Sequence, residues 1–259
     1  MPFTWGEAVH AALSLTGLRK SFGTSRAVDG IDLVVPPGAF LGLVGQNGAG
    51  KTTTLSMAVG LLRPDAGRSL VFGHDVWAAP DEAKALIGVL PDGLAMPERL
   101  TGREVLTYQG LLRGMPRSMV DQRADELLGV LELDRAEKTL VIEYSTGMRK
   151  KIGLATALLH APRLLVLDEP FEAVDPVSAA TIKTILRGFV AGGGSIVLSS
   201  HVMALVEQLC DHVAVIDRGK VAAAGSLAHV QDGRSLEERF VELVEGESAA
   251  AKELTWLSR

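Results

Sequence analysis

The sequence predicts an α/β protein with a mostly parallel sheet, an antiparallel β subdomain and an inserted helical subdomain. Three observations support this prediction. Short, continuous apolar runs recur along the chain, helical patterns separate them, and the stretch 95–162 contains no good strand pattern. Continuous apolar strands separated by helices are typical of a parallel sheet that is covered on both faces.

The first two strands are predicted from alternating patterns near the front of the chain. LSLTGLRKSFG and AVDGIDLVVPPG alternate apolar and polar residues, and turn residues lie between them. A period of two is typical of a half-buried strand. We therefore expect both segments to form antiparallel strands beside the main sheet.

Later apolar runs predict the main sheet. They are FLGLV (40–44), LIGVL (86–90), LLVL (164–167), SIVLS (195–199) and VAVI (213–216). The last run continues into VAVIDRGKVAAAG, which predicts a hairpin that turns at Arg218 and Gly219. Between the second and third runs, patterns such as ADELLGVLEL and KKIGLATALL predict helices, so residues 95–162 are expected to form the helical insertion.

The stretch EYSTGMRKKIGLATAL, residues 143–158, predicts one of these helices. Ser145 or Thr146 can cap its first turn, and Pro162 ends the apolar pattern. The apolar residues at helical spacing are Met148, Ile152, Ala155 and Leu159.

The first turn of this helix carries three consecutive cations, Arg149, Lys150 and Lys151. The helix dipole disfavours positive charge there by about 0.3 to 1 kcal/mol for each residue. A bound phosphate would offset this cost, and so would water or a nearby acidic loop. The local stretch alone does not choose among them.

Composition limits the classes of function. The chain has 259 residues, 47% hydrophobic and 22% charged, which is enough to bury one large domain or a core with a subdomain. A net charge of −5 argues against a general nucleic-acid surface, which needs clustered excess cations. No stretch is predicted to be a transmembrane helix. Cys210 lies in an apolar helical context, which favours a buried thiol.

A helical tail, residues 226–259, is predicted to follow the main domain, residues 1–225. From Ser235, the stretch SLEERFVELV offers a capping box with Glu238. The apolar face of this helix consists of Leu236, Phe240, Leu243 and Val244. We expect the face to pack on its own domain, and a partner surface is the alternative.

A phosphate-binding loop is predicted at GQNGAGKT, residues 45–52, which satisfies G-x-x-x-x-G-K-[ST] between a predicted strand and a helical pattern. The glycines let backbone N–H groups turn towards phosphate oxygens, Lys51 reaches the terminal phosphates, and Thr52 offers its hydroxyl to Mg²⁺. The predicted phosphate-binding residues are Gly45, Gln46, Asn47, Gly48, Ala49, Gly50, Lys51, Thr52 and Thr53.

Two adjacent acids follow the strand in LLVLDEP, residues 164–170. Ligands of open α/β sheets bind at the carboxyl ends of the strands, and adjacent buried acids are costly without a cation. Asp168 is therefore predicted to hold Mg²⁺ through water, and Glu169 to polarise the attacking water as general base. His201, at the end of the next strand, is a candidate to bind the terminal phosphate.

In this combination and order, the motifs resemble the ATP-binding subunits of ABC transporters, from about Leu13 to Gly225. The resemblance implies a P-loop NTPase (RecA-like) core that binds ATP and Mg²⁺, with residues 95–162 as its helical subdomain. It implies that Phe22, in KSFG, stacks on adenine, and that His201 is the switch histidine, a catalytic residue.

The resemblance extends to residues that would act across a dimer. YSTGM, residues 144–148, is similar to the family signature LSGGQ, and EAVD, residues 172–175, is similar to its D-loop. In this family two domains close head to tail, each trapping ATP against the signature of the other. The residues expected to act across the interface are Ser145, Thr146, Gly147 and Asp175.

The sequence departs from the family pattern at two places. Asp92 stands where a glutamine senses magnesium and the attacking water, and a carboxylate about 5 Å from a phosphate charge is repelled by roughly 3 kcal/mol. Asp92 is therefore expected either to act only through the cation or a water, as a third candidate Mg²⁺ ligand, or to lie further from the phosphate. Tyr144 and Thr146 replace the leucine and first glycine of the signature.

The function implied by the resemblance is ATP hydrolysis that powers export. The partners would be a second ATPase subunit, most simply in a homodimer, and a separate transmembrane permease on the cytoplasmic side of the cytoplasmic membrane. No nucleic-acid partner is expected. One alternative is a soluble ABC ATPase that acts on a ribosome, DNA or an assembly machine. Another is a P-loop kinase or GTPase, although the chain contains no NKxD motif.

Overall fold

Two β-sheets form the framework of the chain in the computed structural model, which describes residues 11–93 and 95–245. The smaller sheet is antiparallel and has the order β2-β1-β4-β5, where β1 is Leu13–Phe22, β2 Ser25–Val35, β4 Ala66–Val71 and β5 His74–Asp75. The two strands predicted at the front of the chain are confirmed as β1 and β2.

The larger sheet has the order β10-β9-β3-β8-β7-β6. Its strands are β3 (Phe40–Val44), β6 (Ile87–Leu90), β7 (Leu164–Leu167), β8 (Ser195–Ser200), β9 (His212–Asp217) and β10 (Lys220–Ser226). β9, β3, β8, β7 and β6 are mutually parallel, and β10 pairs antiparallel with β9 through the turn at Arg218 and Gly219. All the predicted strands and the hairpin are thus confirmed.

Helices connect and cover the strands. They are α1 (Lys51–Ala58), α2 (Pro80–Leu86), α3 (Gly102–Leu112), α4 (Arg117–Val130), α5 (Thr146–Leu158), α6 (Pro176–Ala191), α7 (Met203–Leu209), α8 (Leu227–Gln231) and α9 (Leu236–Glu245). The stretch predicted to be helical contains α3, α4, α5 and two short 3₁₀ turns. In the described part of that stretch, β pairing is limited to a single bridge between Thr101 and Leu140.

The core lies on both faces of the larger sheet. Neighbouring residues of β7 point in opposite directions, because Leu165 and Leu167 pack with the helical segment while Leu164 and Val166 pack with the antiparallel sheet. Both faces of the strand are therefore dry. This explains why the central strands are continuous apolar runs and do not alternate with polar residues.

Helix α5 begins as predicted, with Ser145 as its N-cap. The Ser145 hydroxyl accepts a hydrogen bond from the backbone N–H of Met148 at 3.3 Å, and the helix ends at Leu158, before Pro162. The apolar residues at helical spacing face the core, and Ile152 is completely buried.

The three cations of this first turn bind groups of the same chain. Arg149 donates to the carbonyl oxygens of Tyr144 at 3.2 Å and Ile142 at 2.9 Å. Lys150 donates to the carbonyl of Glu169, and Lys151 lies 3.7 Å from the Glu132 carboxylate. Carbonyl dipoles and acids of the surrounding loops therefore offset the unfavourable interaction with the helix dipole.

Helix α9 packs on its own chain. The predicted capping box is present, with Ser235 and Glu238 bonding each other's backbone N–H groups at 3.0 and 3.2 Å. Leu236 and Phe240 are buried in the main core, and Leu243 and Val244 pack against it. The expectation of packing on the same domain is confirmed for residues up to 244, whereas residues 246–259 of the predicted tail lie outside the described residues.

Two further observations concern Cys210 and the length of the described helices. Cys210 is buried, and burial raises the pKa of its thiol far above the usual value. None of the helices described combines the length and the apolar character needed to cross a membrane. Residues 1–10, which belong to the predicted main domain, lie outside the described residues.

A carboxylate of α7 is predicted to hold α9 in place. Oε1 of Glu207 accepts hydrogen bonds from the backbone N–H of Leu236 at 2.6 Å and from Nε2 of Gln231 at 2.8 Å. Glu207→Ala should lower the free energy of unfolding by about 1 to 3 kcal/mol, because it leaves these donors without their acceptor. Urea denaturation measures this loss. Glu237→Ala, an exposed change on α9 itself, is the control, and equal losses in the two variants would contradict the role of Glu207.

Candidate functional site

The loop between β3 and α1 requires glycine at specific positions. Gly48 and Gly50 have φ of 82° and 105°, in the left-handed region that L residues disfavour. A Cβ at Gly50 would lie 2.4 Å from the carbonyl oxygen of Ala27, and one at Gly45 would lie 2.4 Å from that of Ile216. The loop can therefore pack closely against two neighbouring strands only with glycine at these positions.

Lys51, the first residue of α1, is buried at the centre of this loop. Its ammonium donates to the carbonyl oxygen of Gly45 at 2.8 Å and to that of Gln46 at 3.3 Å. It also lies 3.8 Å from Oε1 of Glu169. A buried ammonium is costly unless it is fully paired, so this group is held by the loop and favours an anion beside it.

A serine on β8 holds the two acids that follow β7. The Ser199 hydroxyl donates to Oδ1 of Asp168 at 2.5 Å and accepts from the backbone N–H of Glu169 at 2.8 Å. The backbone N–H of Asp168 donates to the carbonyl oxygen of Leu90, on β6, at 2.8 Å. Three adjacent parallel strands therefore fix the acids at their carboxyl ends, where ligands bind in sheets of this kind.

Glu169 has an unusual backbone and a paired carboxylate. Its φ is 44°, in the left-handed region, although it is not glycine and precedes Pro170. Such backbone strain costs about 1 to 3 kcal/mol and is concentrated at functional sites. Oε2 lies 3.1 Å from Nδ1 of His201, so an imidazole with a proton on Nδ1 donates to it, while Oε1 faces Lys51.

These groups border a cavity of about 480 Å³. The residues that line it are Phe22, Ala27, Asn47, Gly48, Gly50, Lys51, Thr52, Thr53, Asp92, Glu169, Glu172 and His201. The structure thus brings together the predicted aromatic, most of the predicted loop, the general-base candidate and the switch histidine. Phe22 is 53% exposed at the end of β1, so one of its faces is free to stack on a planar ring.

Several predicted site residues do not line the cavity. Three of them lie in the loop itself but face away from the cavity. Ala49 is buried, and the carbonyl oxygens of Gly45 and Gln46 accept hydrogen bonds from Lys51. Asp168 is 4% exposed and does not line the cavity. Its contact to Mg²⁺ through water stays a prediction.

Two cavity residues, Ala27 and Glu172, were not predicted. Ala27 precedes the buried part of β2 and has no chemical signal in the sequence, so only the pairing of β2 with the rest of the fold could reveal it. Glu172 lies three residues after Glu169 in EPFEAVD. It belongs to the stretch that resembles the D-loop, and an acid at every third position, 169, 172 and 175, is the signal that indicates a further carboxylate at the site.

The residues expected to act across a dimer form a separate group. Ser145, Thr146, Gly147 and Asp175 do not line the cavity of their own chain. Ser145 and Thr146 are exposed at the start of α5. A Cβ at Gly147 would lie 3.3 Å from Oδ2 of Asp175, so the start of α5 is adjacent to Asp175. The exposed members of the group, Ser145, Thr146 and Asp175, therefore lie outside the cavity, and Gly147 is buried.

Asp175 has a clear structural task in this group. Its Oδ1 caps α6 by accepting from the backbone N–H groups of Val177 at 3.0 Å and Ser178 at 2.9 Å. Hydrogen bonds from the side chain and backbone of Ser178 hold the pKa of Asp175 below its usual value. The carboxylate is therefore ionised and fixed near the start of α5.

Tyr144 and Thr146, the two residues that depart from the family signature, differ in burial. Tyr144 is buried in the helical segment, burial raises its pKa, and a Cβ at Gly102 would lie 2.6 Å from its hydroxyl oxygen. It packs against the start of α3. Thr146 is exposed as the first residue of α5, so its side chain occupies no space inside the fold.

Asp92 lies in the turn after β6 and faces both the cavity and α5. Its Oδ1 accepts from the backbone N–H of Gly93 at 3.0 Å and lies 3.8 Å from the ammonium of Lys150. The carboxylate is therefore not isolated, because a cation of the helical segment stands beside it.

The donor set fits a magnesium nucleotide. Mg²⁺ is usually held by one or two carboxylates together with substrate phosphates and water, and the Thr52 hydroxyl, Asp168 and Asp92 offer oxygen donors of this kind. Within residues 11–93 and 95–245, no group of three or more His, Cys, Asp and Glu side chains is placed to hold a metal alone. The cavity supplies the other requirements for a phosphate chain, namely a buried ammonium and a glycine loop.

The chain is similar in sequence to known ATP-binding proteins. The sequence profile of the family described as ABC transporter matches residues 28–172. The daunorubicin/doxorubicin resistance ATP-binding protein DrrA of Streptomyces peucetius is 38% identical over 242 residues, which is 93% of this chain and 73% of that protein. The Nod factor export ATP-binding protein I of Rhizobium sp. (strain N33) is 38% identical over 215 residues, 83% of this chain and 71% of that protein.

A solved structure has the same fold. The structure described as that of an ATP binding subunit of an ABC transporter aligns with a TM-score of 0.83 at 29% sequence identity. The alignment covers 90% of this chain and 99% of the solved chain. The expected α/β fold, a P-loop NTPase core with an antiparallel β subdomain and an inserted helical subdomain, is thereby confirmed.

The serine that holds both acids provides a test of the site's construction. Ser199→Ala should lower the free energy of unfolding by about 2 to 3 kcal/mol, because hydrogen bonds to charged groups contribute more than neutral ones. Ser195→Ala should cost about 1 kcal/mol, because its hydroxyl accepts a neutral bond from Gly38 N–H. Both serines are completely buried in β8. Urea denaturation compares them, and equal losses would show that Ser199 does not support a charged group.

Proposed function

The chain belongs to the ABC transporter family of ATP-binding domains, which hydrolyse ATP to power transport, and we propose that it is the ATPase subunit of an exporter with a separate permease. The observation that carries the proposal is the cavity in which Lys51, Glu169 and His201 converge. The family assignment excludes the kinase and GTPase alternatives. The relatives are named for resistance to daunorubicin and doxorubicin and for Nod factor export, which favours export over a ribosome, DNA or assembly machine.

We assign the nucleotide-binding roles from the lining of the cavity. Phe22 stacks on adenine, a contact worth about 1 to 3 kcal/mol. The backbone of residues 45–53 surrounds the phosphates, and the Lys51 ammonium exchanges its carbonyl partners for phosphate oxygens. Thr52 and Asp168 hold Mg²⁺, with Asp92 as a third candidate. The cation, when bound, neutralises phosphate charge and orients the terminal phosphate for attack.

Glu169 acts as the general base in this proposal. Its carboxylate is aimed into the cavity by the left-handed backbone and by the bond from its own N–H to Ser199. His201 orients that carboxylate and is itself exposed to the cavity. A base of this kind accelerates hydrolysis by about 10² to 10⁴-fold by taking a proton from the attacking water.

Two such domains close head to tail, in our proposal as a homodimer. Ser145, Thr146 and Gly147 then face the terminal phosphate held by the partner subunit, and the nearby Asp175 joins them. The exposure of Ser145, Thr146 and Asp175 outside the cavity supports this role. Each charge-assisted hydrogen bond contributes about 1.5 to 3 kcal/mol, so closure depends on ATP and is reversed after hydrolysis.

The motion is passed to a permease in the cytoplasmic membrane, on whose cytoplasmic side this subunit is bound. The relatives are ATP-binding subunits of transport systems, which implies a transmembrane partner. Helix α3, in the segment 95–162 that we propose as the helical subdomain, supports a partner surface. It exposes Tyr108, Leu111 and Leu112 at spacings of three and four residues, on one helix face.

The general-base assignment is tested by Glu169→Gln. Glutamine keeps the size of the side chain but cannot accept the proton, so steady ATP hydrolysis should fall by about 10² to 10⁴-fold while ATP binding is retained. A stable ATP-bound dimer should accumulate on size-exclusion chromatography. Glu126→Gln, an exposed change on α4, is the control for loss of a charge. Unchanged turnover of Glu169→Gln would remove this residue from the role of base.

The across-dimer assignment is tested by Ser145→Arg. The larger side chain should block approach of the partner subunit, so ATP should no longer drive dimer formation in light scattering, while each monomer still binds nucleotide. Ser145 also caps α5, worth about 1 kcal/mol, so Ser145→Ala controls for the cap. Gln122→Arg, exposed on α4, controls for the added arginine. Normal dimer formation by Ser145→Arg would reject the assignment.

A further inference from the structure

Lys150 connects α5 to both acids at the ends of β6 and β7. Its ammonium donates to the carbonyl oxygen of Glu169 at 2.9 Å and lies 3.8 Å from Oδ1 of Asp92. The Lys150 side chain is 14% exposed, so the ammonium is held between these groups and does not extend into solvent. One cation of the helical segment therefore contacts two turns of the core.

The wall of the cavity near Lys150 is rich in carboxylates. Asp92, Glu169 and Glu172 place three carboxylates on its lining. Lys51 and His201 both face the carboxylate of Glu169. Among the described residues, Lys150 is the one cation within 4.0 Å of the Asp92 carboxylate. Asp92 is 51% exposed and would otherwise present its full charge to an anion in the cavity.

We propose that Lys150 is a positioning residue that acts as counter-ion to Asp92, so that a carboxylate is tolerated in the wall of a triphosphate site. This inference rests on the proposed function, because the repulsion exists only when a phosphate chain binds in this cavity. Like charges a few ångströms apart repel each other, and an adjacent cation reduces that repulsion.

The bond to Glu169 explains how the ammonium is kept in place. The Glu169 carbonyl belongs to a left-handed residue that precedes Pro170, so its direction is fixed by the strained turn. The hydrogen bond to this carbonyl keeps the Lys150 ammonium in a position where it faces the Asp92 carboxylate. The pairing of Asp92 thereby depends on the position of the helical segment relative to the strand ends.

The first test measures equilibrium binding of a fluorescent N-methylanthraniloyl derivative of ATP to the full chain in excess EDTA, where no hydrolysis occurs. Lys150→Met should weaken binding about three- to fivefold, because the charge of Asp92 is no longer balanced. Lys150→Gln should weaken it similarly, although glutamine can still donate to the Glu169 carbonyl. Lys150→Arg keeps the charge and should stay within about twofold of the wild type.

The second test repeats these measurements in an Asp92→Asn background. Once the carboxylate is neutral, Lys150→Met should change binding by less than about twofold. Lys138→Met, an exposed lysine of the same segment, controls for a general change in charge, and circular dichroism confirms that each variant is folded. Added Mg²⁺ should reduce the loss caused by Lys150→Met, since the cation also balances Asp92.

The possible outcomes distinguish a counter-ion to Asp92 from a residue that contacts the nucleotide directly. An equal loss in both backgrounds would show that Lys150 acts directly on the nucleotide, and no loss in either would remove its role; both results overturn the proposal. If Lys150→Met does not fold, Lys150→Gln and Lys150→Arg decide the question by the same comparison. Failure of the wild-type chain itself to bind ATP would instead contradict the proposed function.

Discussion

The hydrogen bonds of Ser199 are the constraint on which the rest of the site depends. A carboxylate as deeply buried as Asp168 is tolerated only with a donor beside it, and the Ser199 hydroxyl supplies that donor at 2.5 Å. The same oxygen accepts from the backbone N–H of Glu169 and so fixes a peptide in a left-handed conformation. From this one side chain the positions of both acids follow.

Charge balance is the second principle of the site. Lys51 and His201 lie on either side of the Glu169 carboxylate, and Lys150 faces Asp92. Lys51 also donates to carbonyls of its own loop, which holds a buried ammonium where phosphate oxygens can replace those partners. Glu169 and Asp92 thus each have at least one basic side chain beside them, although the net charge of the chain is −5.

The cations at the start of α5 show how tertiary contacts override a local preference. A helix N-terminus disfavours positive charge, yet Arg149, Lys150 and Lys151 all occupy this turn. Each binds a carbonyl or carboxylate from a different loop, so the helix is tied to the segment before it, to the turn after β7 and to Glu132, just after α4. The contacts that offset the unfavourable interaction with the helix dipole therefore also orient α5.

The sequence by itself determined the strands, the phosphate loop and the acids after β7. Continuous apolar runs require burial on both faces, and GQNGAGKT and LLVLDEP carry their chemistry in a few consecutive residues. Only the tertiary structure decided the contacts between distant segments. The cavity includes Ala27, the three cations of α5 bind their own chain, and Lys150 reaches Asp92 across the strand ends. The physical reason is that periodicity encodes burial along one element, whereas pairs of charges depend on how separate elements pack.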